Sequence, residues 1–182
     1  YKDYAPEFDH GPGWITAGSG RIDLTGKSLA EAAYTKVAFE LTASPVIAVR
    51  PVNHTGDKHS PSAWKMTDAM ESWGWPGCEG KSARIEVYAR AASVELRLNG
   101  VKIGRKDLKN DCVAHFSVPY APGVLEAVSY DASGRELGRE ALRSPDKTTK
   151  LTVTPEQDSA KPEGLCFLRL RYTDERGGWK PM

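Results

Sequence analysis

The chain has 182 residues, 40% of them apolar, with five Trp, seven Tyr and four Phe; that length suits one or two domains, and that apolar content excludes wholesale disorder. Its 25 Lys and Arg against 24 Asp and Glu give a formal charge of +1, with no basic balance or stripe to suggest nucleic acid. No apolar run approaches the roughly 20 residues that span a bilayer, so no membrane partner is expected. Cys78, Cys112 and Cys166 are odd in number and widely spaced, which fits neither a disulfide framework nor a zinc knuckle. Three free thiols in a reducing compartment is the simpler reading and favours the cytoplasm, with one bridge and a secreted or periplasmic site left open. The sequence opens on Tyr1 with no initiating Met and no leader-like segment, so we expect a piece of a longer protein.

Residues 1–27 are rich in Gly, Pro and Asp and read as loop. A helix is predicted over 28–42. Ser28 and Glu31 have the spacing of a capping box, and Leu29, Ala33, Val37 and Leu41 recur at four-residue steps on one face. Pro45 prevents its continuation. Val46–Val49 is a short apolar run of strand length, and residues 52–82 are polar with Trp64, Trp73 and Trp75 among them. So long a stretch is expected to be pinned in part by those aromatics.

From residue 83 the period changes to two. Ile85 and Val87 alternate with Arg84 and Glu86, and Val94, Leu96 and Leu98 alternate with Glu95 and Arg97. Asn99-Gly100 then predicts a tight hairpin, because both turn positions need positive φ. Further strands are predicted over 112–120, 124–130 and 136–142, the last two joined by a turn at Asp131–Gly134. Short strands at this density read as an antiparallel β-sandwich. After a linker at 144–147, residues 150–154 and 165–172 read as two more strands, too few to bury a sandwich face alone.

Three stretches together resemble the β-galactosidase-like enzymes of glycoside hydrolase family 2. They are Asp23-Leu-Thr-Gly26 with the helix carrying Tyr34; Ser72-Trp-Gly-Trp-Pro-Gly-Cys-Glu-Gly80; and Ile85–Tyr88 followed by Val94–Gly100 and Ile103-Gly-Arg-Lys106. Val118-Pro-Tyr120 and Pro122-Gly123 continue the match. The resemblance implies four parts. Residues 1–50 would be the end of a catalytic (β/α)8 barrel, including helix 28–42, and 51–80 a linker holding the Trp-rich segment. Residues 81–144 would form an immunoglobulin-like β-sandwich, and 147–182 the start of a further, truncated β-sandwich unit. The expected fold is therefore mostly β. The resemblance implies no catalytic residue here. A retaining glycosidase needs two carboxyl groups about 5 Å apart, one of them in this family in an Asn-Glu pair. Asn53, Asn99 and Asn110 are followed by His, Gly and Asp. A barrel of about 250 residues could not close from what is present.

Trp64, Trp73 and Trp75 are the candidate contact residues, either stacking on carbohydrate or packing between domains; packing is the simpler reading. His54, His59 and Asp57 match no metal motif, and no metal or other cofactor is expected. Asp9-His10 with Glu7 lies in a Gly/Pro-rich terminal loop and reads as solvated. Lys102, Arg105, Lys106 and Lys109 form a basic run broken by Asp107, which on a hairpin edge keeps a strand soluble. Gly18-Ser-Gly20 lacks the Lys-Ser/Thr of a phosphate loop. The expected function is a non-catalytic accessory region of a family 2 hydrolase, of β-galactosidase type, and this chain alone is expected to be inactive. Its partners would be the missing catalytic barrel of the same chain, carbohydrate, and a second copy through the barrel-facing surface. A stand-alone carbohydrate-binding module and an unrelated immunoglobulin-like interaction domain are the alternatives. The first needs exposed tryptophans; the second leaves the Ser-Trp-Gly-Trp-Pro-Gly segment unexplained.

Overall fold

The computed structural model describes residues 21–22, 28–54, 66–159 and 161–180. In chain order the elements are helix α1 (Ala30–Ala38), strand β1 (Val46–Val49), a 3-10 turn (Val52–His54), then β2 (Ser82–Tyr88), β3 (Ser93–Leu98), β4 (Val101–Asp107), β5 (Val113–Pro119), β6 (Val124–Tyr130), β7 (Glu136–Arg143), β8 (Lys150–Pro155) and β9 (Leu168–Thr173). The described fold is mostly β, as the strand periodicity and the resemblance imply.

Seven strands make an antiparallel sandwich. One sheet has the order β1-β2-β5 and the other β4-β3-β6-β7, the division of an immunoglobulin-like domain. Alternation along each strand sends Ile85, Val87, Leu96, Leu125 and Ala127 into a shared core with Ile47 and Trp73. The Asn99-Gly100 hairpin forms as its residues require, with φ of 53° and 80°. The Asn99 side chain also donates to Pro122 O at 3.0 Å and accepts from Val124 N at 2.8 Å, which fastens this turn to the β5–β6 connection.

The sandwich begins earlier than residue 81. β1 pairs with β2 in register, Val46 opposite Tyr88 and Val49 opposite Ile85, so its outer strand comes from residues assigned by resemblance to the barrel end. A four-residue apolar strand gives no sign in sequence of which side it joins.

The helix is shorter than 28–42, and its start differs. Ser28 is held in a bridge with Ile22, and Leu29 occupies the N-cap with no side-chain cap. The expected capping box is absent because Glu31 is engaged elsewhere. Its Oε1 accepts from the backbone of Met66 and Thr67, both at 3.0 Å. At the other end Glu40 takes φ of 58°, and Glu40 N and Leu41 N bond back to Val37 O and Lys36 O. This is a Schellman ending, so Leu41 never joins the buried stripe and is 73% exposed.

β8 and β9 pair as a separate two-stranded sheet. Asp174 ties it to the linker by accepting from Asp146 N at 2.8 Å.

Candidate functional site

The described residues converge on the junction where α1 lies against the outer face of the β1-β2-β5 sheet. Ala30, Ala33 and Val37 pack on Ala48, Ala69 and Tyr88. These are small side chains, so the helix comes close to the sheet. Within that contact sits Glu86, only 4% exposed. It occupies an outward position of β2, between inward Ile85 and Val87. Its Oε1 accepts from Arg50 Nε at 3.0 Å and from Thr67 Oγ1 at 2.8 Å. Its Oε2 accepts from the Tyr88 hydroxyl at 2.6 Å. Thr67 N donates to Glu31, so a chain of bonds runs from α1 through residue 67 to the sheet. Burial, with the Glu86 carboxylate next in effect, pushes the Tyr88 phenol far above its usual range and keeps it a donor. Tyr34 of α1 meets the Tyr88 ring edge-on at 5.7 Å. At the helix C-terminus Arg90 donates to Ala38 O and pairs with Glu40 at 2.7 Å, a cation placed at the negative end of the dipole.

This junction is a clamp. The buried Glu86 carboxylate holds residue 67 to the sheet, and Glu31 holds α1 to residues 66 and 67, so moving the helix would strand buried backbone donors.

The second fastening lies around the tryptophans. Trp73 is 1% and Trp75 3% exposed, both in the sandwich core. Trp73 Nε1 donates to Ala121 O at 3.0 Å, and its ring packs on Tyr120 at 4.8 Å. Trp75 N donates to the Tyr120 hydroxyl at 3.0 Å, and Ser144 Oγ donates to Trp73 O at 2.6 Å. Neither ring presents a face to solvent, which sugar stacking would require. Trp64 lies outside the described residues, as do Asp57, His59, Glu7, Asp9, His10 and Gly18–Gly20. His54 ends the 3-10 turn and is exposed. Of the basic run, Lys102, Arg105 and Lys106 fall on β4, an edge strand, and Lys109 follows it. Lys102 pairs with Glu95 at 2.8 Å, and Arg105 donates to Ser93 Oγ at 2.9 Å with its guanidinium over Tyr130. Cys78, Cys112 and Cys166 are free thiols, buried, half-buried and exposed in turn.

Sequence reasoning missed Glu86, Thr67, Arg50 and Tyr120. Glu86 alternates with apolar residues and so reads as a solvated position; only the helix lying over it shows otherwise.

The comparisons with known proteins agree with this architecture. Residues 80–138 match a family model described as a domain of unknown function, DUF4982. A Formosa agariphila protein named as a beta-glucuronidase is 32% identical over 93 residues, 49% of this chain and 9% of that protein. A glycosyl hydrolase family 2 member from Bacteroides cellulosilyticus superposes with a TM-score of 0.71 at 29% identity, over 88% of this chain and 22% of that one. The chain is similar in sequence and fold to a segment of family 2 glycoside hydrolases. A beta-glycosidase from Bacteroides vulgatus superposes with a TM-score of 0.69 at 20% identity, over 98% of this chain and 20% of that one, a likeness of fold. The chain thus spans about a fifth of these solved chains and less than a tenth of the curated relative's length.

Proposed function

We propose that this segment is a non-catalytic brace: the sandwich holds the helix at the end of a catalytic barrel and shapes the rim of the barrel's substrate pocket. The observation that carries the reading is the buried cluster of Glu86 with Arg50, Thr67 and Tyr88, which reaches α1 through Thr67, whose N–H donates to Glu31. Such a cluster, with every donor spoken for by one carboxylate, specifies one orientation of the parts it joins. Phe39, Leu41 and Met66 stand exposed beside the helix, an apolar surface that the barrel of the same chain would cover and through which the segment alone would self-associate. The apolar face of β8–β9 would likewise be covered by further strands of a following β-sandwich unit.

For the whole protein the reading is retaining hydrolysis of a terminal β-glycoside. The motifs resemble β-galactosidases, while the Formosa agariphila relative carries a β-glucuronidase name; β-galactosides and β-glucuronides are the two substrate classes to compare. The test is a panel of chromogenic β-glycosides against the whole open reading frame, its Glu86→Gln variant and the 182-residue chain. The brace reading expects Glu86→Gln to lower the melting temperature while a folded fraction at low temperature keeps its kcat, with no turnover by the segment. Turnover by the segment that survives repurification would overturn it.

A further inference from the structure

β9 has two unlike faces. Leu168, Leu170 and Tyr172 line one, opposite Pro155, Val153 and Leu151 of β8. Arg169 and Arg171 line the other, and that face turns toward the start of α1. Between them is a cleft of about 460 Å³ lined by Ser28, Leu29, Ala30, Ala69, Met70, Glu71, Arg169, Arg171 and Trp179. This falls within the roughly 300–1,000 Å³ of small-molecule sites. The cleft lies outside the Glu86 cluster and shares only Ala30 and Ala69 with the packing of α1 on the sheet.

Its chemistry is selective. Arg169 is paired with Glu156 at 2.6 Å. Arg171 has no acidic partner among the described residues and lies 6.0 Å from the Trp179 ring centre. The cleft thus holds one guanidinium without a carboxylate, one half-buried indole and one exposed carboxylate, Glu71. A guanidinium receives a carboxylate by two parallel bonds. An indole gives a flat apolar platform to the C–H face of a pyranose. Glu71 accepts from hydroxyls and repels a compact dianion such as sulfate or phosphate. The positive end of α1 forms the facing wall, a modest addition to the attraction for a single negative charge.

We propose that this cleft binds a uronic acid unit of a carbohydrate, its carboxylate on Arg171, its ring against Trp179 and its hydroxyls toward Glu71 and Ser28. A subsite of this kind would hold a remote part of an acidic glycan. It is tested separately from the brace, because none of Glu86, Arg50, Thr67 and Tyr88 lines the cleft.

The experiment is calorimetric titration of the 182-residue chain with methyl β-D-glucuronide, methyl β-D-glucoside and sodium sulfate, with Arg171→Gln, Trp179→Leu and Arg143→Gln beside it. Saturable binding of the glucuronide is expected, about tenfold or more tighter than the glucoside and weakened as much by Arg171→Gln. Arg171→Gln is expected to keep the parent's urea midpoint, so its loss of binding is not unfolding; Arg143→Gln is expected to bind as the parent does. Trp179→Leu is expected to weaken both sugars. Equal affinity for glucuronide and glucoside, displacement by sulfate at equal concentration, binding unchanged in Arg171→Gln, or no saturation at millimolar glucuronide would each overturn the proposal. None of those results bears on the brace, which is read from the melting temperature of Glu86→Gln.

Discussion

Tyr120 shows how one hydroxyl can hold two segments together. Its oxygen accepts from the buried Trp75 N–H while its ring packs on Trp73. Tyr120→Phe keeps the ring and strands that donor, so urea denaturation should show a loss of about 1–3 kcal/mol. Asp131 offers a test by pH. Hydrogen bonds from Ser133, then from the Arg135 backbone, hold its carboxyl at about 2, below the usual carboxylate range. The folded state therefore binds this proton less readily than the unfolded chain, whose Asp titrates near 3.9. The resulting stability is complete above that value and is lost as pH falls through 2. Asp131→Ala is expected to be less stable than the parent at pH 7, with the gap closing between pH 4 and 2 in a series of thermal melts. Asp174 is lowered in the same direction by amide donors, Asp146 N first, so acid should also loosen the β8–β9 attachment.

At the scale of the element, α1 ends for a reason that its own residues do not advertise. Glu40 sits in the left-handed region at φ of 58° where glycine is usual. The strain is about 1–2 kcal/mol for a residue with a Cβ. Glycine's greater freedom in the unfolded chain, about 0.5–1 kcal/mol, and loss of the exposed Arg90 pair offset much of its relief. Glu40→Gly is thus expected to stabilise by up to about 1 kcal/mol, and Glu40→Val to destabilise, in matched urea curves. The apolar period at Leu29, Ala33, Val37 and Leu41 was legible as a helix, but its last turn was not. Whether the chain continues past Ala38 depends on the 6→1 closure from Leu41 N to Lys36 O, and a four-residue spacing is blind to that. The strands fared differently. Val124–Tyr130 forms over the predicted span, because the turns at Pro122-Gly123 and Asp131–Gly134 leave little choice of boundary.

For the whole molecule the decisive contacts are the close approaches between units. A Cβ on Gly74 would lie 2.9 Å from Pro145 Cδ and 3.0 Å from Trp179 O, so the tryptophan segment, the linker and the chain beyond β9 meet at one glycine. Gly74→Ala should push the C-terminal hairpin away at a cost of about 1–3 kcal/mol. Limited proteolysis is expected to cut within 147–182 sooner in this variant, while the melting temperature of the sandwich falls less. Equal protection of the hairpin in both proteins would mean that the two units do not depend on this contact.

The sequence by itself determined the strands, the Asn-Gly hairpin, the helix's existence and, through ordered short motifs, the family resemblance. All of these rest on local periods and turn chemistry that a few neighbouring residues decide. Tertiary structure decided which sheet β1 joins, that Glu31 abandons its cap for Met66 and Thr67, and that Glu86 is buried rather than solvated. It also brought Arg171 and Trp179 opposite Ser28 across a cleft. Those outcomes hang on partners tens of residues away, and an outward-facing side chain on a strand has the same sequence signature whether water or a helix covers it.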